Sequence, residues 1–195
     1  MSDEKHAAIA AMGFGGLLQL ATTELRHELC TWLMSVYDVA YHRIRMATSD
    51  YLEVRLIDVE HALGIPCDGA DVPLHPRRVA KSASYNMNYL ESELQSLPVG
   101  DGFRKIFLIF TCATIVAPNG RPEGMHDLWD FIWTSDVSVR RNWGKLLLTY
   151  LEDGIGEFLA SKVRYVRGCI LFLQVLHDFD IVYILLSSTI VLSRI

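Results

Sequence analysis

The sequence predicts a mostly α-helical, single globular domain with a small β-hairpin near residues 43–57. With 195 residues, of which 51% are hydrophobic and 21% charged, the chain can bury one sizeable core. Apolar residues recur at helical spacing through most of it, whereas the alternation typical of a half-buried strand is confined to residues 51–56, with 43–46 as the partner strand. No internal repeat or low-complexity segment divides the chain.

The first third of the chain shows two helical segments separated by glycines. Residues 4–12 predict a short helix that the cluster Gly13, Gly15 and Gly16 ends. Thr22 or Thr23 can cap the next helix. Its apolar residues follow i, i+4, i+7 spacing and predict one buried stripe: Leu25, Leu29, Trp32, Leu33, Val36 and Tyr37.

After the hairpin, a short helix at 58–63 is predicted to end at Gly64, with Pro66 preventing its continuation and 67–76 forming an exposed loop. Further helices are predicted at 86–97, 103–116, 125–133 and 143–159, and a last one from near Tyr165 to about Leu176. The clearest apolar stripe belongs to 143–159: Trp143, Leu146, Leu147, Tyr150, Leu151, Ile155, Phe158 and Leu159. All four tryptophans (Trp32, Trp129, Trp133 and Trp143) are expected in the core.

Charge and cysteine usage restrict the environment and the partners. The formal net charge of -5 argues against direct binding of a nucleic-acid backbone, which needs clustered basic residues. The pairs Arg77-Arg78 and Arg140-Arg141 are isolated and are interpreted as solvated positions. Four widely spaced cysteines and a charged start favour a reduced, intracellular protein. The apolar run 181–192 is about half the length of a spanning helix, so no transmembrane span is expected.

Four short apolar patches stand out, in order residues 12–18, 29–33, 63–66 and 168–174. Glycine or proline occurs in the first, third and fourth, and Trp143 follows the third. The residues of interest are Gly13, Phe14, Gly15, Gly16, Leu29, Cys30, Trp32, Leu33, Leu63, Gly64, Ile65, Pro66, Trp143, Gly168, Cys169 and Gln174. In this order and spacing, over residues 12–176, they resemble the plant mobile domain family. That family is also called the aminotransferase-like plant mobile domain, and related modules precede plant ubiquitin-like-modifier proteases.

The resemblance implies a transposon-derived, mostly helical domain over 1–178, located in the nucleus and acting through protein partners in genome maintenance or silencing. Two departures from the family pattern stand out. Leu56-Ile57 replaces the usual Ser or Thr before the helix at 58–63, which removes a capping side chain worth about 0.5–2 kcal/mol. Residues 179–195 form a divergent apolar tail, as expected of a truncated or mis-spliced product.

No residue pattern indicates a catalytic, cofactor or metal site. The cluster at 13–16 lacks the third glycine of a dinucleotide fingerprint and the Gly-Lys-Ser/Thr of a P-loop. The five lysines are expected on polar faces or loops, which argues against pyridoxal phosphate despite the family label. Two pairs could suggest a thiol or zinc site, His27 with Cys30 and His61 with Cys67, but they are interpreted as structural. The acid pairs Asp127 with Asp130 and Glu152 with Asp153 are interpreted as solvated side chains.

The sequence therefore predicts a non-catalytic protein-interaction module that holds no cofactor. Two alternatives remain open. One is a hydrolase or transferase of unknown type, which a deep polar pocket with a perturbed His or Asp would favour. The other is a decayed transposon product without a present role.

Overall fold

Helices dominate the computed structural model, which describes residues 1–20, 24–46, 50–73, 86–118, 126–160 and 166–179. Its helices are α1 Asp3–Ala11, α2 His27–Ser35, α3 Leu56–Leu63, α4 Met87–Ser96, α5 Asp101–Thr111, α6 His126–Thr134, α7 Trp143–Leu159 and α8, residues 170–179. The predicted mostly α-helical single domain is confirmed. Within the described residues no helix is long and apolar enough to cross a membrane.

A three-stranded antiparallel sheet packs against the helices. Its strands are β1 Tyr37–Asp38, β2 Arg43–Arg45 and β3 Tyr51–Glu53, in the order β1-β2-β3. Strands β2 and β3 confirm the predicted hairpin, with Ile44 opposite Leu52 and the Ile44 side chain fully buried. Strand β1 was missed because two residues are too few to show an alternating pattern.

A second, parallel pair joins distant parts of the chain. Strand β4, Ala70–Asp71, pairs with β5, Arg141–Asn142, directly before α7. The segment 67–76 is therefore more than the exposed loop that was predicted, since its first half is anchored to α7. Residues 74–76 lie outside the described residues.

The core is built around α7 and α5. Trp143, Leu147, Leu151 and Ile155 of α7 are buried, as their spacing predicts. The stripe ends there, because Phe158 is only half-buried and Leu159 is exposed. Helix α5 continues into one wider turn, Cys112–Val116, in which the Ala117 N–H donates to the Cys112 carbonyl at 2.9 Å, so the apolar run to Val116 is helical as predicted.

Several helix boundaries differ from the prediction. Helix α2 begins at His27 with Arg26 as its N-cap, so neither Thr22 nor Thr23 caps it, and those two threonines lie outside the described residues. Helix α8 begins at residue 170 rather than near 165, which is also outside them. Helix α3 begins at Leu56 rather than at 58, so Leu56-Ile57 lie in its first turn and not before it as predicted. Its N-cap is Arg55, whose N–H donates to the Asp58 carboxylate at 2.7 Å as part of a capping box.

Two of the four tryptophans are not core residues. Trp129 and Trp143 are buried as predicted, but Trp32 is 42% exposed and Trp133 is 44% exposed. In α2 the buried positions are instead Cys30, Leu33 and Met34, so the inward face of α2 is rotated away from Trp32.

Candidate functional site

The glycine and proline patches bring three chain segments together. Gly64, which ends α3 with a φ of +60°, lies against Gly16, and a Cβ on Gly16 would sit 2.5 Å from the Gly64 Cα. Only glycine allows this backbone approach. Beside it, Gly13 has a φ of +87° and packs on Pro66, while Phe14 is buried in the core.

Phe14 connects this crossing to two long helices. Its ring meets Phe107 of α5 edge-on at 5.5 Å and Trp143 of α7 at 6.4 Å. The first and third patches and Trp143 therefore meet at one place. Gly15, Leu63 and Ile65 complete this junction, and Leu63 and Ile65 are buried.

The second and fourth patches also meet, where α2 contacts α8. Gln174 of α8 is fully buried; its Oε1 accepts the Arg26 N–H at 2.8 Å and its Nε2 donates to the Glu24 carbonyl at 3.2 Å. Cys30 lies on the same α2–α8 contact, with Sγ 3.8 Å from the Ile170 carbonyl. Of the remaining patch residues, Leu33 and Cys169 are buried and Leu29 is half-buried. Gly168 has a φ of +99° and lies against the backbone of Leu151.

A solvent-open cleft of about 520 Å³ lies beside the first junction. We call it the α1–α6 cleft. Its volume falls within the roughly 300–1,000 Å³ of ordinary ligand sites. The apolar lining comes from Met12, Phe14, Pro66, Leu108, Phe131, Ile132, Val137, Val139 and Trp143. Two exposed alanines at the end of α1, Ala10 and Ala11, form part of its edge.

Three arginines stand around this cleft. Arg104 pairs with Asp101 at 3.3 Å, and Arg140 pairs with Asp68 at 2.5 Å. Arg141 is half-buried, and its guanidinium lies 4.8 Å from the centre of the Phe131 ring. The interpretation of Arg140-Arg141 as merely solvated is therefore wrong for Arg141.

One acidic side chain also lines the α1–α6 cleft. The Asp136 carboxylate accepts hydrogen bonds from the Ser138 N–H at 2.8 Å and the Ser138 hydroxyl at 2.7 Å. These two bonds are the main reason that the pKa of Asp136 is lowered, with smaller contributions from Lys105 and Arg141. A carboxylate that is exposed and already hydrogen-bonded is a weak general base at neutral pH.

Away from the cleft, a buried carboxylate joins α7 to the sheet. Glu152 accepts hydrogen bonds from the Tyr37 hydroxyl at 2.7 Å and lies 2.7 Å from the His42 Nδ1. Burial, followed by the bond to Glu152, raises the pKa of Tyr37. His42 has a φ of +49°, unusual for a residue with a side chain. Glu152 is therefore not the solvated helix-face acid that the sequence predicted, whereas Asp153 is exposed.

Sequence patterns could not reveal this cluster, because Glu152 is 110 residues or more from both Tyr37 and His42 along the chain. Two related expectations are also wrong. Asp130 is buried rather than solvated. Lys5 is buried rather than on a polar face, and its ammonium donates to the Leu94 and Gln95 carbonyls, both at 2.8 Å, at the end of α4.

The pairs considered for thiol or zinc chemistry have separate partners. The Cys67 thiol donates to the Leu56 carbonyl at 3.1 Å, and burial raises its pKa to about 11. Burial also raises the pKa of Cys30, while His27 is exposed. Among the residues that the structure describes, no group of three or more potential ligands could hold a metal ion.

Together these features define a small helical domain with glycine-dependent crossings and one arginine-rimmed apolar cleft. The model of a domain of unknown function, DUF8566, matches residues 1–174, and the chain belongs to that family. No curated protein and no solved structure matches it.

The family match corrects the resemblance drawn from the patches. The chain belongs to the DUF8566 family and not to the plant mobile domain family. The glycine and proline patches are explained by close backbone approaches, and such packing elements recur in unrelated proteins. The aminotransferase label, the transposon origin, the nuclear location and the silencing role follow from that resemblance alone and have no other support.

Proposed function

We propose that this domain is a non-catalytic protein-binding module and that the α1–α6 cleft is its binding site. The observation that carries the proposal is that apolar and aromatic side chains share the lining of this open cleft with charged ones. Protein-binding sites use aromatic and apolar anchors at the centre and polar groups at the rim, with arginine enriched. Phe131, Val139 and Arg141 supply such a set.

The side chains of the cleft favour binding over catalysis. Among the described residues, its titratable lining consists of Arg104, Asp136, Arg140 and Arg141, without histidine, cysteine, lysine or tyrosine. Ser138 contacts Asp136 rather than a base that could activate its hydroxyl. A hydrolase or transferase would therefore have to use another part of the molecule.

A second exposed surface lies on the sheet and is a weaker candidate. The Arg43 guanidinium lies between the rings of Tyr41 and Tyr51, at 4.5 and 4.1 Å from their centres. However, Arg43 also bonds to Asp38 at 3.2 Å, so its charge is already met within the domain. The cleft on this surface, which Asp38, Arg45 and Tyr51 help to line, is smaller, about 440 Å³ against about 520 Å³.

The experiment starts from peptides selected by phage display on the purified 195-residue chain. Their affinities are then compared for the wild type, Ala11→Trp and Ala7→Trp by fluorescence anisotropy. Ala11 is exposed at the edge of the cleft, whereas Ala7 is exposed on the same helix but does not line it. Ala11→Trp should weaken binding at least about tenfold, or about 1.4 kcal/mol, and Ala7→Trp should leave it unchanged.

Failure to select any peptide would contradict the proposal. So would selected peptides that bind both tryptophan variants equally well. Thermal unfolding of the two variants serves as the control for folding, because both substitutions place an indole on the surface of α1.

A further inference from the structure

We infer that the α1–α6 cleft recognises an acidic segment of a partner protein and that Arg141 receives one of its side-chain carboxylates. This inference rests on the proposed function and specifies the chemistry of the partner. It is carried by charge complementarity at the cleft. Three observations support it: the positive charge at Arg141, the absence of an ion pair for its guanidinium among the described residues, and the occupation of three nearby backbone donors.

The charge around the cleft is opposite in sign to that of the whole chain. The protein has 23 acidic and 18 basic residues apart from histidine, a net charge of -5. The cleft is lined by three arginines and, within the described residues, a single acid, Asp136. Asp101 and Asp68 neutralise Arg104 and Arg140, and Lys105 acts on Asp136, so the uncompensated positive charge of the cleft lies at Arg141. Such a local excess attracts negatively charged partners and suppresses wrong ones by repulsion.

Arg141 is the arginine that is ready to bind. Arg104 and Arg140 each pair with an aspartate. Arg141 has no ion pair within the part of the chain that the structure describes. Its backbone is fixed in β5 by pairing with Ala70, and its guanidinium stacks on Phe131. Stacking holds the planar group in place while leaving its N–H donors free for a bidentate carboxylate.

Three backbone amides in or beside the cleft already have partners, which argues against a different source of negative charge. Capture of a chain-terminal carboxylate relies on free backbone N–H groups. Here the Ser138 N–H bonds to Asp136, the Gly144 N–H to the Pro66 carbonyl, and the Lys145 N–H to Asn142. With these amides occupied, the positive charge available to a partner belongs to the Arg141 side chain, which suits a side-chain carboxylate of a bound segment.

The test uses labelled peptides derived from the phage selection. Each selected peptide is compared with an analogue in which Asp and Glu become Asn and Gln, and with an analogue amidated at its C-terminus. Binding to the wild type, Arg141→Gln and Arg45→Gln is measured at low and high salt. Arg45 is exposed on β2, away from the cleft, so Arg45→Gln is a matched loss of one positive charge.

Selected peptides should carry several acidic residues beside an apolar anchor. Arg141→Gln and the Asn/Gln analogue should each weaken binding about tenfold, and their effects should not add, because both remove the same contact. Arg45→Gln and C-terminal amidation should change the affinity less than twofold. The analogue series needs no protein variant and so does not depend on the folding of Arg141→Gln.

The outcomes separate this inference from the proposed function. Neutral or basic peptides that compete at the cleft and are lost in Ala11→Trp would overturn the acidic partner and keep the binding module. Loss of binding on C-terminal amidation, or displacement by a labelled oligothymidine, would also overturn it, in favour of a terminal carboxylate or a nucleic acid. Binding that is indifferent to Ala11→Trp would overturn both proposals.

Discussion

Replacing Gln174 with leucine should lower the free energy of unfolding by about 2–3 kcal/mol. Gln174 is fully buried, and its amide group bonds to the Arg26 N–H and to the Glu24 carbonyl. Leucine has a similar size but offers neither bond, so two backbone groups lose their partners. A buried backbone group without a partner costs about 1–3 kcal/mol. Glu24 and Arg26 are exposed, so water can partly replace each bond, and we use the low end, about 1–1.5 kcal/mol for each group.

Urea unfolding followed by circular dichroism measures the change, with Gln95→Leu as the matched control. Gln95 is exposed on α4, so its replacement should alter stability by less than about 0.5 kcal/mol. Hydrogen exchange gives a local test, since the Arg26 amide should exchange faster in Gln174→Leu. A loss below about 0.5 kcal/mol with unchanged exchange at Arg26 would refute the idea that Gln174 fixes this segment.

Three further predictions concern the glycine crossing, the core stripe and a thiol. Gly64→Ala should lower the free energy of unfolding in urea by about 1–3 kcal/mol, because the φ of Gly64 is +60° and a Cβ there would meet the backbone of Gly16. Unchanged stability would contradict the close approach of the two glycines. Trp143→Ala should lower the free energy of unfolding by about 3–5 kcal/mol, and Phe158→Ala, at a half-buried position, by about 1–2 kcal/mol. A loss below about 1 kcal/mol for Trp143→Ala would show that the α7 stripe is not part of the core. With a pKa of about 11, Cys67 is about 0.1% thiolate at pH 8. The rate of its alkylation, measured by mass spectrometry, should therefore rise about tenfold per pH unit up to pH 10. A rate that levels off by pH 9 would contradict the raised pKa.

The sequence was sufficient to predict the elements whose signal is local. The spacing of Trp143, Leu147 and Leu151 predicted α7, and the conformational freedom of Gly64 predicted the end of α3. The same reasoning was wrong for Trp32, because a stripe of six apolar residues leaves the orientation of a nine-residue helix ambiguous. Only the contact with α8 decides that Cys30 faces inward.

The candidate site could not be predicted because tertiary structure assembles it. The cleft joins residues from the end of α1, from α5, from α6 and from the segment before α7. Nothing local distinguishes Arg141 from Arg140, yet one stacks on Phe131 and the other pairs with Asp68. The buried Glu152 was missed for the same reason, since Tyr37 and His42 reach it from the sheet.

The most direct test of the account is a nuclear magnetic resonance titration of the ¹⁵N-labelled chain with a selected acidic peptide. We expect the largest shifts around the α1–α6 cleft: at the amides of Ala11, Val139 and Arg141 and at the Trp143 indole. Shifts centred on the sheet around Tyr41 and Tyr51, with the cleft signals unmoved, would contradict it.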